Sequence, residues 1–366
     1  MKVLIIAPYT PEVISFRGEL IKSIVKEGHE VIVVAPEKEG AEGVKELGAD
    51  FYQLWFDRVS TNPIRDLKLI YDLYQFIRRH KPDVVFGYTI KPVIYGAMAA
   101  KIARVKNIYT MITGLGHTFI VESKKDKIVT EIVKVLYRLS SKCTNKLIFQ
   151  NSADLEEFVG QGLIDKEKCS VVDGSGVDLN RFKGEELPKE PIFLLIARVI
   201  REKGIIEYME AARKIKKIYP QAIFRLVGPF DANPTSLKIE DLEPYIKDGS
   251  IEYLGAKKDV RPCINECSIY VLPSYREGTS RTVLEAMAMG RPILTTDAPG
   301  CIETIKDNKN GFLVPIKDSE SLVEKMEWFI NHMDKAQEMG EASYQYCKER
   351  YDVNKVNQDM LNIMKL

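Results

Sequence analysis

A chain of 366 residues is long enough for two domains, each with its own core. Hydrophobic residues make up 45% and charged residues 29%, which excludes a disordered or fibrous chain. The net charge of +1 conceals a basic segment, 58–146, with 17 lysines and arginines against 6 acidic residues. From the N-terminus, the apolar run Val3 to Ala7, stopped by Pro8, is too short for a signal peptide and predicts a buried strand. Further strands are predicted at 30–35, 84–87, 107–113 and 146–150. Between them "RGELIKSIVKEGH" places Leu20, Ile21, Ile24 and Val25 on one helical stripe. "IRDLKLIYDLYQFIRRH" does the same with Leu67, Ile70, Tyr71, Tyr74 and Ile77. Strand then helix, repeated, predicts an α/β fold with a parallel sheet covered on both faces.

The pattern stalls in the polar stretch "KGEELPKEP" and restarts, with strands predicted at 192–196, 223–227, 251–254, 269–272 and 292–295. Residues 1–183 are expected to form one domain, completed by a C-terminal helix at 350–366. Residues 184–191 are expected to form a linker and 192–349 the second domain. No stretch reaches the roughly 18 apolar residues that span a bilayer. Six scattered cysteines without a CxxC pair predict reduced, mostly buried thiols, Cys263 and Cys267 included, rather than disulfides or a zinc site.

Doubly wound sheets bind ligands outside the carboxyl ends of their strands, and the unusual residues of this chain fall in those loops. In "ARVIREKG", Arg198 and Lys203 stand just before Gly204, which opens a helix. Two cations and a helix N-terminus suit a diphosphate, although a solvated charged turn would read the same way. In "YREGTSRTVLEAMAMG", Glu277 precedes Gly278 in a turn, and Glu285 lies eight residues on. Thr282 to Glu285 also fits a capping box, which would give Glu285 a purely structural task. The backbone N–H groups of Gly278, Thr279, Ser280 and Arg281 can meet a phosphate or sugar oxygen, and carboxylates accept well from sugar hydroxyls. The grouping points to a ligand that is part diphosphate and part polyol. In "ITGLGHTF", Phe119 stands where a dinucleotide fingerprint needs its third glycine, so NAD is discounted. His117 in that loop is either bonded to backbone or a donor facing a ligand. No Asp-x-Asp pair occurs, so neutralising a diphosphate would fall to Arg198, Lys203 and helix N-termini, with no metal or cofactor.

Arg198 with Lys203, the two glutamates of "EGTSRTVLEAMAMGRPIL", "GVDLNRF" at 176–182 and "YLGAKKDV" at 253–260 resemble glycosyltransferase family 4. The resemblance implies retaining, metal-independent enzymes with the GT-B fold: two facing Rossmann-like, doubly wound domains with a cleft between them. "VGPFDANP" and "SFRGELIKSIVKEGHEVIVVAP" are most similar to members that elongate undecaprenyl-diphosphate-linked sugars in bacteria. Carried across, Arg198 and Lys203 would bind the diphosphate of a UDP-sugar and Glu285 its ribose hydroxyls. Glu277, with Gly278, Thr279, Ser280 and Thr282 around it, would meet the donor sugar. The loop from Gly255 to Lys257 would border the uracil, and Gly18 would approach the diphosphate from the first domain. Two positions depart from the family pattern. Arg17-Gly18-Glu19 replaces a double glycine, and Thr279 stands where phenylalanine is common, which leaves the donor sugar open. His117 matches a histidine of many members.

The implied function is transfer of an N-acetylhexosamine, with N-acetylgalactosamine as the expected sugar, to an undecaprenyl-diphosphate-linked amino sugar. The alternatives are a UDP-N-acetylglucosamine epimerase of the same fold and a noncatalytic UDP-sugar-binding partner subunit. The basic segment includes "ESKKDKIVTEIVKVLYRLSSKCTNK", with Ile128, Ile132, Val135, Leu136 and Leu139 on one stripe. Lys124, Lys125, Lys127, Lys134, Arg138 and Lys142 surround it. This is either a core-facing helix with solvated lysines or a basic amphipathic helix on an anionic membrane. The charge of the whole segment favours a peripheral enzyme on the cytoplasmic face of the membrane, with no nucleic-acid partner.

Overall fold

The computed structural model describes residues 1–57, 62–115, 124–231, 235–306 and 308–366, with the side chains of all but 124–126. The chain divides into two compact units, Met1–Ser175 with Val353–Leu366, and Gly176–Asp352.

In the first unit the described strands are β1 (Lys2–Ile6), β2 (Glu30–Ala35), β3 (Asp50–Gln53), β4 (Val84–Tyr88), β5 (Asn107–Ile112), β6 (Lys146–Phe149) and β7 (Cys169–Val171). They form one sheet in the order β3-β2-β1-β4-β5-β6-β7, and every neighbouring pair is parallel. The inner strands are continuous apolar runs because helices cover both faces. The edge strands β3 and β7 are short and more polar, so they carry no such signal in the sequence. The helices are α1 (Thr10–Lys26), α2 (Ala41–Glu46), α3 (Pro63–His80), α4 (Ala97–Ile102), α5 (Lys124–Ser141) and α6 (Ser152–Gly160).

One face of the sheet packs Leu4, Ile32 and Val85 against Leu69, Leu73 and Ile77 of α3 and Tyr137 of α5. The stripe expected to bury α3 is thereby corrected. Its core face runs through Leu69, Leu73 and Ile77, with Ile70 and Tyr74 packed beside it as expected, while Leu67 and Tyr71 are exposed. α5 likewise buries Thr130, Tyr137 and Ser140 and packs Val133 and Leu136 against the same core, so of its expected stripe only Leu136 faces inward, while Ile128, Ile132, Val135 and Leu139 turn outward. At the start of α3, buried Asp66 accepts hydrogen bonds from Lys91 at 2.7 Å and Tyr95 at 2.8 Å, which compensates each polar group for lost water.

The second unit contains β8 (Ile192–Ile196), β9 (Ile223–Val227), β10 (Glu252–Tyr253), β11 (Ile269–Leu272), β12 (Ile293–Thr296) and β13 (Gly311–Val314). Their order is β10-β9-β8-β11-β12-β13, again all parallel. The helices are α7 (Ile205–Ile218), α8 (Ile239–Lys247), α9 (Arg261–Asn265), α10 (Arg281–Ala288), α11 (Ser319–Asn331) and α12 (Met333–Arg350). Each sheet grows one way from its first strand and then reverses, between β1 and β4 and between β8 and β11. Such a reversal opens a crevice at the carboxyl ends of the strands.

Residues 184–191 are not the expected linker. The division falls at Ser175 and Gly176, and the segment that follows is built into the second unit. Val177 donates to the Tyr351 carbonyl at 2.8 Å, and Val177 and Phe182 join the second core. Fully buried Arg291 donates to the carbonyls of Ile264 at 2.8 Å, Glu185 at 2.9 Å and Asn265 at 3.0 Å. The last helix, α13 (Val353–Met364), belongs to the first unit, where Met360, Leu361 and Met364 pack with Val13, Leu20 and Ile24 of α1.

Candidate functional site

The second unit ties its strand-end turns together with glycines. Gly204, the N-cap of α7, has φ +69°, and a Cβ there would lie 2.0 Å from the Pro273 carbonyl oxygen. Gly228, with φ +152°, leaves the same kind of room for the Ala197 carbonyl, which a Cβ would approach to 1.7 Å. Only glycine lets the turns after β8, β9 and β11 pack this closely.

Lys203 leaves the β8 turn and reaches the β11 turn, where its Nζ lies 2.5 Å from Glu277 Oε1. The two side chains are only 19% and 10% exposed, so the pair is stronger than a surface ion pair. Glu277 N–H donates to the Pro299 carbonyl at 2.9 Å, which adds the turn after β12. Gly300, with φ +78°, allows this approach, since a Cβ would stand 2.1 Å from the Glu277 carbonyl oxygen. Behind the turn the buried Cys301 thiol is pushed up to about 12, first by burial and then by the negative charge of Glu277. Tyr275 Oη donates to Glu207 Oε1 at 2.6 Å and its N–H to the Glu202 carbonyl at 2.9 Å, fastening the turn to the start of α7.

Arg198 takes another direction. Its Nη1 meets Asp231 Oδ2 at 2.6 Å in the loop after β9, with the Arg198 side chain about half exposed. The two cations of "ARVIREKG" therefore rest on different carboxylates.

α10 begins two residues earlier than a capping box from Thr282 to Glu285 would need. Its N-cap is Ser280, and Thr282 already lies inside the helix, where its Oγ1 donates to the Ile196 carbonyl at 3.2 Å. Glu285 therefore closes no capping box. It accepts from Arg281 Nε at 2.9 Å, one helical turn away, and is buried. Burial raises its carboxyl above the ordinary value, and the nearby Arg281 and Arg181 lower it without cancelling that effect. Gly278 is buried and accepts from Thr279 Oγ1 at 2.9 Å. Gly255 accepts from Gly228 N–H at 3.0 Å, joining the turns after β9 and β10, while Lys257 is exposed beyond it.

Gly18 is not at a strand end. α1 starts at Thr10, so Gly18 is mid-helix and packs on Leu47, whose methyls would lie 3.6 Å from a Cβ. Its N–H belongs to the helix ladder and offers nothing to a diphosphate. His117 lies outside the described residues. Among the described residues no group of three or more His, Cys, Asp or Glu is placed to hold a metal ion.

The structure adds Asp231, Glu207, Tyr275, Gly300 and the side chain of Arg281 to the site. The Arg281–Glu285 spacing of four is a readable helical pair. Nothing in the sequence marks Asp231 or Gly300, because each meets its partner only through the sheet topology. An ammonium carries three N–H donors and Glu277 engages one, so Lys203 can serve an anion as well. With the N-terminus of α7 beside it, the site suits an anion joined to a polyol.

Residues 177–346 match the family described as glycosyl transferases group 1, and residues 6–151 match glycosyl transferase 4-like. The N,N'-diacetylbacillosaminyl-diphospho-undecaprenol alpha-1,3-N-acetylgalactosaminyltransferase of Campylobacter jejuni is 32% identical over 85% of this chain and 84% of its own. The UDP-Gal:alpha-D-GlcNAc-diphosphoundecaprenol alpha-1,3-galactosyltransferase of Escherichia coli is 28% identical over 71% of this chain and 69% of its own. Among solved structures, a glycosyltransferase from Rickettsia africae superposes with a TM-score of 0.81 at 20% identity, covering 100% of this chain and 97% of that one. Anabaena HepE, solved in complex with UDP, superposes with a TM-score of 0.80 at 17% identity over 100% of both chains. By sequence and by fold, the chain belongs to glycosyltransferase family 4 and is a glycosyltransferase of the GT-B class.

Proposed function

We propose that this glycosyltransferase moves an N-acetylhexosamine, N-acetylgalactosamine first among them, from its UDP-sugar to an amino sugar carried on undecaprenyl diphosphate. The Campylobacter jejuni relative supports the acceptor class, because its name specifies a diphospho-undecaprenol and the match extends over most of both chains. The observation that carries the donor reading is the Lys203–Glu277 pair at the point where the second sheet reverses, beside the N-terminus of α7.

In this scheme the departing UDP develops negative charge on its diphosphate and leaves positive charge at the anomeric carbon. Lys203 and Arg198 stabilise the diphosphate together with the N-terminus of α7, and no metal or cofactor takes part. Arg198 exchanges part of its contact with Asp231 for a phosphate oxygen. Glu277 accepts from the hydroxyls of the donor sugar, with Gly278, Thr279, Ser280 and Thr282 completing that side. Glu285 holds the ribose, and the loop at Gly255 and Lys257 borders the uracil. The acceptor attacks on the face that UDP leaves, a diphosphate oxygen takes its proton, and the configuration is retained. The lipid of the acceptor sets the reaction at the cytoplasmic surface of a membrane, to which the basic segment 58–146 draws the protein.

A panel of UDP-sugars with a short polyprenyl-diphosphate-linked amino sugar, read by product mass, tests this. A single added N-acetylhexosamine is expected, with UDP-N-acetylgalactosamine the best donor. Products from UDP-hexoses alone would overturn the donor assignment, and inversion at the new linkage would overturn the mechanism.

A further inference from the structure

Ile128, Ile132, Val135 and Leu139 follow one another at helical spacing on α5, and all are exposed, from 49% to 63%. A helix covering a sheet normally has one apolar stripe, turned inward, but α5 has this second one although its inner face already packs Val133, Leu136 and Tyr137 on the core beside buried Thr130 and Ser140. α3 repeats the arrangement with Ile64 77%, Leu67 67% and Tyr71 60% exposed. Trp55, also exposed, stands just beyond the carboxyl end of β3. α3 and α5 both pack on the turn Pro92–Gly96 and share one core layer, so their outer stripes belong to one face of the first unit. The crossovers put the N-terminal ends of α3 and α5 at the carboxyl end of the sheet, and Ile64 and Trp55 mark that end.

Single exposed apolar residues are ordinary, but a face built from two parallel stripes is not. The residues interleaved with the stripes identify what covers them. Arg65, Lys68, Arg78 and Arg79 are exposed on α3, and Lys127 and Lys142 on and just after α5. The acidic neighbours Asp72 and Glu131 are each held by a lysine, Lys68 at 2.5 Å and Lys134 at 2.8 Å. Apolar stripes, one of them including a tyrosine, a basic surround and a tryptophan at the margin are the chemistry of an anionic bilayer interface.

We infer that α3 and α5 insert these stripes into the headgroup and acyl boundary of an anionic bilayer. The first unit then lies on the membrane on this helical face, its strands running along the surface and the carboxyl end of its sheet opening beside the headgroups, where the sugar of a lipid-linked acceptor emerges. The placement rests on the reading that the acceptor is lipid-linked. It goes beyond attraction by the charge of the segment, because insertion resists salt and attraction alone does not.

Co-sedimentation of the full chain with phosphatidylcholine vesicles, with and without phosphatidylglycerol, at low and high salt, tests this. The variants are Ile128→Ser with Ile132→Ser and Leu139→Ser, and Lys127→Glu with Lys142→Glu. Because all five positions are exposed, both variants are expected to keep the wild-type circular dichroism. Wild type is expected to bind the anionic vesicles and to keep a substantial bound fraction at high salt. The serine variant is expected to bind about tenfold more weakly or worse, and the glutamate variant to lose its preference for phosphatidylglycerol. Serine and wild-type chains bound equally would overturn the inference. So would wild-type binding that salt abolishes, or a wild-type dimer that the serine variant dissociates. Transfer to a short-chain, water-soluble acceptor is measured in parallel and should match wild type in both variants. Its absence in wild type would count against the catalytic reading alone, since the vesicle result is obtained without it.

Discussion

Lys203 and Glu277 meet at 2.5 Å with little exposure, so each holds the other in place before any substrate arrives. A cation fixed in this way is worth more to a developing diphosphate charge than one that must be ordered during the reaction. Lys203→Ala is therefore expected to lower kcat/KM by about 10²–10³, with the far-ultraviolet circular dichroism unchanged; wild-type turnover would contradict its role. Glu285 allows a test through pH. Its carboxyl is raised above 4.5 in the folded chain, chiefly by burial. Below the ordinary value the group is protonated both folded and unfolded, and stability is lost as pH rises through the folded value. Glu285→Gln is thus expected to be more stable relative to wild type at neutral pH than in mild acid, by thermal unfolding at both. A difference that shrinks toward neutral pH would show that Arg281 outweighs desolvation. At this scale the neighbourhood of Lys203 and Glu277 was legible, because residue type and strand-end position converge on both. Asp231 was not legible, since Arg198 and Asp231 come from different crossovers and no local rule pairs them.

The elements show where periodicity misleads. "IRDLKLIYDLYQFIRRH" and the sequence of α5 each carry two apolar stripes, and spacing alone does not say which one faces the sheet. On α3 the choice falls to Leu69, Leu73 and Ile77, with Ile64, Leu67 and Tyr71 left outside. Gly18 was misplaced for a related reason. Pro11, at the second position of α1, is a helix-start signal in "YTPEV", and it puts Gly18 well inside the helix. Turn architecture, by contrast, governs the site directly. Gly300→Ala would drive a Cβ to 2.1 Å from the Glu277 carbonyl oxygen at a backbone angle that L side chains avoid. The turn must then shift and carry the Glu277 carboxylate away from Lys203. Transfer is expected to fall at least about tenfold, more than the loss of stability explains, because small misplacements of a positioned group are costly. Wild-type kinetics in a folded Gly300→Ala chain would mean that the turn does not position Glu277.

The whole molecule repeats one winding twice, and this is the part most plainly written in the sequence: buried parallel strands are continuous apolar runs, and helices separate them. β3, β7 and β13 were not legible, being short strands of three or four residues at sheet edges. The boundary between units was misplaced because "KGEELPKEP" is polar like a linker, whereas Arg291 binds its backbone from inside the second unit. The central claim is that the chain couples cleavage of a UDP-sugar to a new glycosidic bond on a lipid-linked acceptor. Its most direct test is UDP release from UDP-N-acetylgalactosamine with and without the polyprenyl-diphosphate-linked amino sugar, counted against product formed. The prediction is one UDP per added sugar and almost none without acceptor. UDP released without acceptor, or an altered UDP-sugar without a glycosidic product, would contradict it.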